Sequence, residues 1–132
     1  MICDDESDQS VNREAFGLLH HVTRLRLVRR RLTVVDATNL QYRARGPLLR
    51  MARLYQIPVF AIVFNLSLET CLSNNQSRPE RFVVEEAIRQ HSDELPRVIQ
   101  RLECEGYQKI YLLDETSFND VKVERLRYFS TC

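Results

Sequence analysis

Leu32-Thr33-Val34-Val35-Asp36-Ala37-Thr38-Asn39 is the stretch on which the reading of the fold turns. Its β-branched, mostly apolar start and its polar end predict a short strand buried on both faces of a parallel sheet, with the polar residues at the C-terminal end. On its N-terminal side Ala15, Leu18, Leu19, Val22, Leu25 and Val28 recur at three- and four-residue steps, which predicts an amphipathic helix from about Val11 to Arg30. On its C-terminal side Leu48, Leu49, Ala52 and Leu54 return to helical spacing over Arg43 to Gln56, with Pro47 near the first turn. Ile57-Pro58-Val59-Phe60-Ala61-Ile62-Val63-Phe64 then predicts a second buried strand.

Further out, Ser67 is placed to cap a helix beginning at Leu68-Glu69, which dissolves in the polar run Ser73-Asn74-Asn75-Gln76-Ser77-Arg78-Pro79. A long helix follows from about Phe82 to Glu105, and Gly106 closes it. Tyr107 to Asp114 predicts a third, edge-like strand, and Val121 to Arg127 a short helix. Helices alternating with strands imply an α/β fold: one domain over residues 1–132 with a parallel sheet and helices on both faces. In such sheets ligands bind beyond the C-terminal strand ends, which gathers Asp36, Thr38, Asn39 and the loop after Asn65 around any site.

Composition narrows the classes. With 132 residues, 44% hydrophobic, and only three Gly and four Pro, the chain excludes disorder, collagen and low-complexity linkers. The longest uncharged apolar stretch, Ile57 to Leu66, falls far short of the roughly 20 residues of a membrane-spanning helix, and the acidic opening is unlike a secretory signal; a cytoplasmic location is expected. Cys3, Cys71, Cys104 and Cys132 form no CxxC pair, and His20, His21 and His91 do not converge, so neither zinc nor a local redox pair is expected. Residues 1–66 hold ten Arg against six acids, while residues 67–132 hold nine Lys or Arg against twelve acids. The basic half suits a phosphate-bearing partner; Arg24, Arg26, Arg29, Arg30 and Arg31 also suit the negative end of a helix dipole.

An apolar run ending in Asp36 matches the Walker B arrangement, in which a strand-end carboxylate orients Mg²⁺ or its bound water. Together with Ile2 to Ser10, Arg31 to Asn39, Pro47-Leu48-Leu49 with Ala52-Arg53, Pro58 to Val63, and Arg78-Pro79-Glu80-Arg81, it gives the chain a pattern that resembles the kinase domain of bacterial polynucleotide kinase–phosphatase and its AAA-type P-loop kinase relatives. The resemblance implies a three-layer P-loop NTPase-like fold, with ATP and Mg²⁺ as cofactors and the 5′ end of a nucleic acid as acceptor. It implies that Asp36 is the acid near metal and phosphates, that Thr38, Asn39 and Gln9 face the acceptor side, and that Arg78, with Arg81 beside it, is the lid arginine that closes over the triphosphate.

Against that pattern, the chain has no Gly-Lys pair and only Gly17, Gly46 and Gly106, so it carries no Walker A sequence, and it lacks the family's general base. The expectation is therefore a truncated or degenerate kinase domain whose N-terminal P-loop strand and helix are missing, and which does not transfer phosphate alone. Without that strand, the strands over Leu32–Ala37 and Val59–Leu66 either keep open edges or pair with each other, so self-association or docking to a P-loop-bearing partner is expected. The alternative function is a non-catalytic module that binds nucleic acid through Arg24 to Arg31 with Arg43, Arg45, Arg50 and Arg53.

Overall fold

The computed structural model describes residues 9–77, 83–117 and 120–122, with side chains from Glu14 onward. Six elements follow in order: helix α1 (Gln9–Val28), helix α2 (Tyr42–Leu54), strand β1 (Phe60–Phe64), helix α3 (Leu68–Gln76), helix α4 (Glu85–Leu102) and strand β2 (Lys109–Leu113). Each begins and ends within a few residues of its sequence-based expectation. The short helix expected over 121–127 lies, past residue 122, outside the described residues.

The local reasons for these boundaries are visible. Helices α1 and α2 end alike: Arg30 and Gln56 each adopt φ 54°, the left-handed conformation in which helices commonly close. At the first end Arg31 N–H reaches the Arg26 carbonyl at 3.0 Å and Arg30 N–H that of Leu27 at 2.9 Å; at the second, Ile57 N–H reaches Ala52 at 2.9 Å and Gln56 N–H that of Arg53 at 3.0 Å. Both are Schellman closures. Ser67 caps α3 as expected, its Oγ accepting from Thr70 N–H at 3.2 Å. Gly106, at φ 93°, turns the chain out of α4 toward β2, in a conformation that only glycine takes without strain.

β1 and β2 form a two-stranded parallel sheet in the register Phe60↔Lys109 to Phe64↔Leu113, with α3 and α4 supplying the crossover that parallel strands require. Among the described residues no third strand joins them. Leu32–Asn39, expected as a doubly buried strand, pairs with no described strand: Leu32 is 88% exposed and Val34 82%. Its sequence suits a strand, yet a strand exists only where a neighbour takes up its backbone groups, and none of the described strands lies beside it.

The buried apolar residues are Leu27 on α1, Leu49 and Ala52 on α2, and Val98 and Leu102 on α4. Helix α1 packs on α2 and α3 on α4. The expectation of helices covering both faces of a wide sheet is thus met only in outline. One face of the strand pair, with Phe60, Ile62, Phe64 and Tyr111, stays exposed.

Candidate functional site

The segment carrying Asp36 is held at both ends by arginines. At its start the Arg26 guanidinium donates to the Leu32 carbonyl at 2.6 Å and to Thr33 Oγ1 at 3.3 Å. At its finish Arg45 Nη1 donates to the carbonyls of Asn39 at 2.7 Å and Leu40 at 2.5 Å. These are backbone acceptors that a sheet ladder would otherwise satisfy. The same Arg45 grips Glu105 with two parallel bonds, Nε to Oε2 at 2.8 Å and Nη2 to Oε1. Arg45 and Glu105 keep only 6% and 8% of their side chains exposed, and the hydrogen bond to Glu105 raises the Arg45 pKa despite the burial that opposes it.

Between these anchors Asp36 and Thr38 are exposed, with no hydrogen bond or ion pair to any described residue. Asn39 is half-buried at φ 47°, a left-handed conformation that Asn tolerates better than most residues. A carboxylate, a hydroxyl and an amide are therefore presented on one short, end-anchored segment.

The loops after β1 and β2 meet beyond the C-terminal ends of the strands. Asn65 N–H donates to the Leu113 carbonyl at 2.7 Å, and Ser67 N–H donates to Glu115 Oε1 at 2.6 Å. That bond, reinforced by the Ser67 and Thr70 hydroxyls, holds the Glu115 carboxyl down at about 2. Asp114 is held well below the ordinary carboxylate range, first by the Thr116 and Ser117 hydroxyls, then by the Ser117 N–H. Both carboxylates are thus committed to shaping their turns.

Asp36, Thr38 and Asn39 were expected to gather with the loop after Asn65 around a site; among the described residues no hydrogen bond joins the two groups directly, and the segment is tied through Arg45 to Glu105, on the turn that leads into β2. Of the arginines in the basic half, Arg45 is buried on Glu105, while Arg26 and Arg53 stay exposed as they donate to the Leu32 carbonyl and, at 2.5 Å, to the Glu105 carbonyl. Arg24, Arg29, Arg30, Arg31, Arg43 and Arg50 are exposed as well.

Of the other expected site residues, Gln9 opens α1 but its side chain lies outside the described residues, as do Arg78 and Arg81 entirely. The segment bearing those arginines is clasped at its flanks: Asn75 Nδ2 donates to the Val83 carbonyl at 2.8 Å, and Val83 N–H donates to Asn75 Oδ1 at 2.9 Å. Sequence reasoning missed Glu105, Arg45 as its partner, and this clasp. The Arg45–Glu105 pair spans 60 positions and has no periodic signature; Asn75 gave a signal only in being an amide in a turn-rich run.

A family model described as AAA domain matches residues 2–102. The chain belongs to the AAA domain family. No curated protein matches it. Membership supports a P-loop NTPase-like α/β fold of the kinase-like kind, to which the parallel β1–β2 pair and its helical crossover conform. No helix among the described residues of this AAA domain is long and apolar enough to cross a membrane.

P-loop proteins of this kind generally bind ATP with Mg²⁺, and the residues present fit that pair poorly. Asp36 is a single exposed carboxylate, and no group of three or more His, Cys, Asp or Glu side chains that could hold a metal occurs among the described residues. Mg²⁺ bound through one carboxylate relies on substrate phosphates for further ligands. This sequence has no Gly-Lys to cradle those phosphates.

Proposed function

We propose that this AAA domain is a module of a polynucleotide 5′-hydroxyl kinase, supplying the acid and lid sides of the site and not transferring phosphate by itself. The observation that carries the proposal is Asp36: an exposed carboxylate without a partner among the described residues, at the end of a Thr-Val-Val run inside the family match. An exposed aspartate needs no partner, so it is its place at the end of the apolar run inside the family match that supports the reading. In this reading Asp36 lies nearest the metal and phosphates, Thr38, Asn39 and Gln9 contact the acceptor, and Arg78 with Arg81 closes on the donor. A partner bearing a Gly-x-x-x-x-Gly-Lys-Ser/Thr segment completes the phosphate site.

The test is transfer of radiolabelled γ-phosphate from ATP to a 5′-hydroxyl oligonucleotide. The chain alone should give none; joined ahead of Ile2 to a strand–loop–helix segment with the Walker A sequence, it should give transfer that Asp36→Ala abolishes without altering the circular dichroism. A folded, joined protein that transfers nothing, or that works equally well with alanine at 36, overturns the proposal. The exposed Arg29, Arg30 and Arg31 favour a second reading, nucleic-acid binding without catalysis. It predicts oligonucleotide affinity that falls steeply with salt, and a shallower slope when the three are replaced by alanine.

A further inference from the structure

We infer that the exposed stripe of helix α1 packs antiparallel on the same stripe of a second copy, giving a two-fold dimer held by a helix pair. The inference goes beyond the kinase reading and does not depend on it, since it rests on α1 residues to which that reading gives no role.

Helix α1 has two apolar sides, and its own chain covers one of them. Thr23 and Leu27 are its buried residues, and α2 is the helix it packs on. About half a turn round from Leu27, Leu18, Val22 and Leu25 are 48%, 45% and 37% exposed. Steps of four and three residues keep these side chains in one line along a helix, and Ala15, half-buried, extends the line by a further step of three. Single exposed leucines are ordinary on a protein surface. A continuous stripe at this spacing is the seam by which one helix packs on another.

Charge selects the occupant. Glu14 lies at the start of the stripe and Arg29 at its finish; both are exposed, and neither has an ion-pair partner among the described residues. Glu14 and Arg29 are equally far in sequence from the midpoint between His21 and Val22, and so are Leu18 and Leu25. A two-fold axis at that midpoint therefore sets Leu18 of each copy against Leu25 of the other, Val22 beside Val22, and Glu14 within reach of Arg29, as an isologous contact demands. The wider sequence is polarised in the same sense: four acids within Asp4 to Asp8 precede the helix, and five arginines within Arg24 to Arg31 crowd its end. Antiparallel packing brings acids beside bases, whereas a parallel pair would stack the arginines on one another. An anionic lipid surface suits the arginine end but sets Glu14 and the acids ahead of it against like charge.

The size of the contact sets its strength. Helix α1 has 20 residues, a rod of about 30 Å, and offers one stripe along it. Such a contact is below the size of obligate interfaces, so a dissociation constant in the micromolar range is expected.

The decisive experiment is sedimentation equilibrium of the full chain across the micromolar range, where dimer should accumulate with concentration. Val22→Glu sets two carboxylates face to face at the axis and should weaken dimerisation roughly tenfold or more, with the circular dichroism unchanged. Glu14→Arg and Arg29→Glu should each weaken it severalfold, and the two exchanges together should restore it, which neither misfolding nor a change of net charge can do. Ile62→Lys, on the exposed side of the strand pair, should leave the dimer as it is. A chain monomeric throughout, a dimer indifferent to Val22→Glu, or a double exchange no better than its singles overturns the inference. So does a monomeric chain that binds vesicles of anionic lipid until Leu18 and Val22 are replaced, which gives the stripe to a membrane. A dimer that dissolves once the Walker A segment is joined ahead of Ile2 overturns it too, by giving the stripe to that segment.

Discussion

Leu32–Asn39 and the Ile57–Phe64 stretch begin alike in sequence and differ in structure. Each follows an amphipathic helix closed by a Schellman turn with a left-handed residue at φ 54°, and each continues into an apolar, β-branched run. One becomes β1, with a partner in register over five residues; the other joins no described strand, with Leu32 and Val34 more than four-fifths exposed. Local propensity therefore proposes a strand, and a neighbour decides whether it forms. In place of a ladder the unpaired stretch has two guanidinium clamps, Arg26 at its start and Arg45 at its finish.

The sharpest way to break this comparison is to remove the clamp at the finish. Glu105→Ala leaves the Arg45 charge shielded and without its carboxylate, while Asn39 and Leu40 lose a fixed donor. Loss of one partner of a buried pair costs about 3 kcal/mol. Urea unfolding should show that loss, and exchange at residues 36–41 should accelerate. A cost below ~1 kcal/mol would show the pair to be a solvated surface contact instead, and the segment to be held by something else.

Burial supplies the next test. Leu49, 3% exposed, should lose about 2–4 kcal/mol on replacement by alanine, whereas Leu32→Ala, at 88% exposed, should change stability by less than about 0.5 kcal/mol. Equal losses at the two sites would mean that Leu32–Asn39 is packed as a buried strand after all. The pair of variants thus tests directly whether the apolar character of the segment is used within a single chain.

How much of this was legible in the sequence follows the range of each interaction. Helix spacing, apolar strand runs, the Ser67 cap and the Gly106 turn act over a few residues, and the six elements among the described residues were foreseen from them. Pairing acts across the chain: β1 and β2 are brought together over about fifty positions, Arg45 and Glu105 over 60, and Ser67 and Glu115 over 48. None of those separations leaves a periodic trace. The candidate site divides in the same way. Asp36, Thr38 and Asn39 stood out because polar residues ending an apolar run are a local pattern; that Arg45 would fasten them to the turn before β2 was not, since an arginine one turn into a helix reads equally well as solvated, dipole-neutral or basic surface.

The smallest effect separates local from tertiary causes most cleanly. Arg30 and Gln56 both occupy the left-handed region at the ends of α1 and α2, where a side chain with a Cβ is strained and glycine is not. Arg30→Gly and Gln56→Gly should therefore each raise stability, by about 0.5–1 kcal/mol after allowing for the extra freedom glycine gives the unfolded chain. The gains should match, because the two turns have the same φ and the same pair of closing hydrogen bonds, although one leads into a strand and the other into an unpaired segment. Urea titration of dilute protein measures both. A gain at position 56 with none at 30 would mean that the turn before Leu32 closes only when the following segment is paired. The difference between the two stretches would then begin in the turn rather than in the missing neighbour.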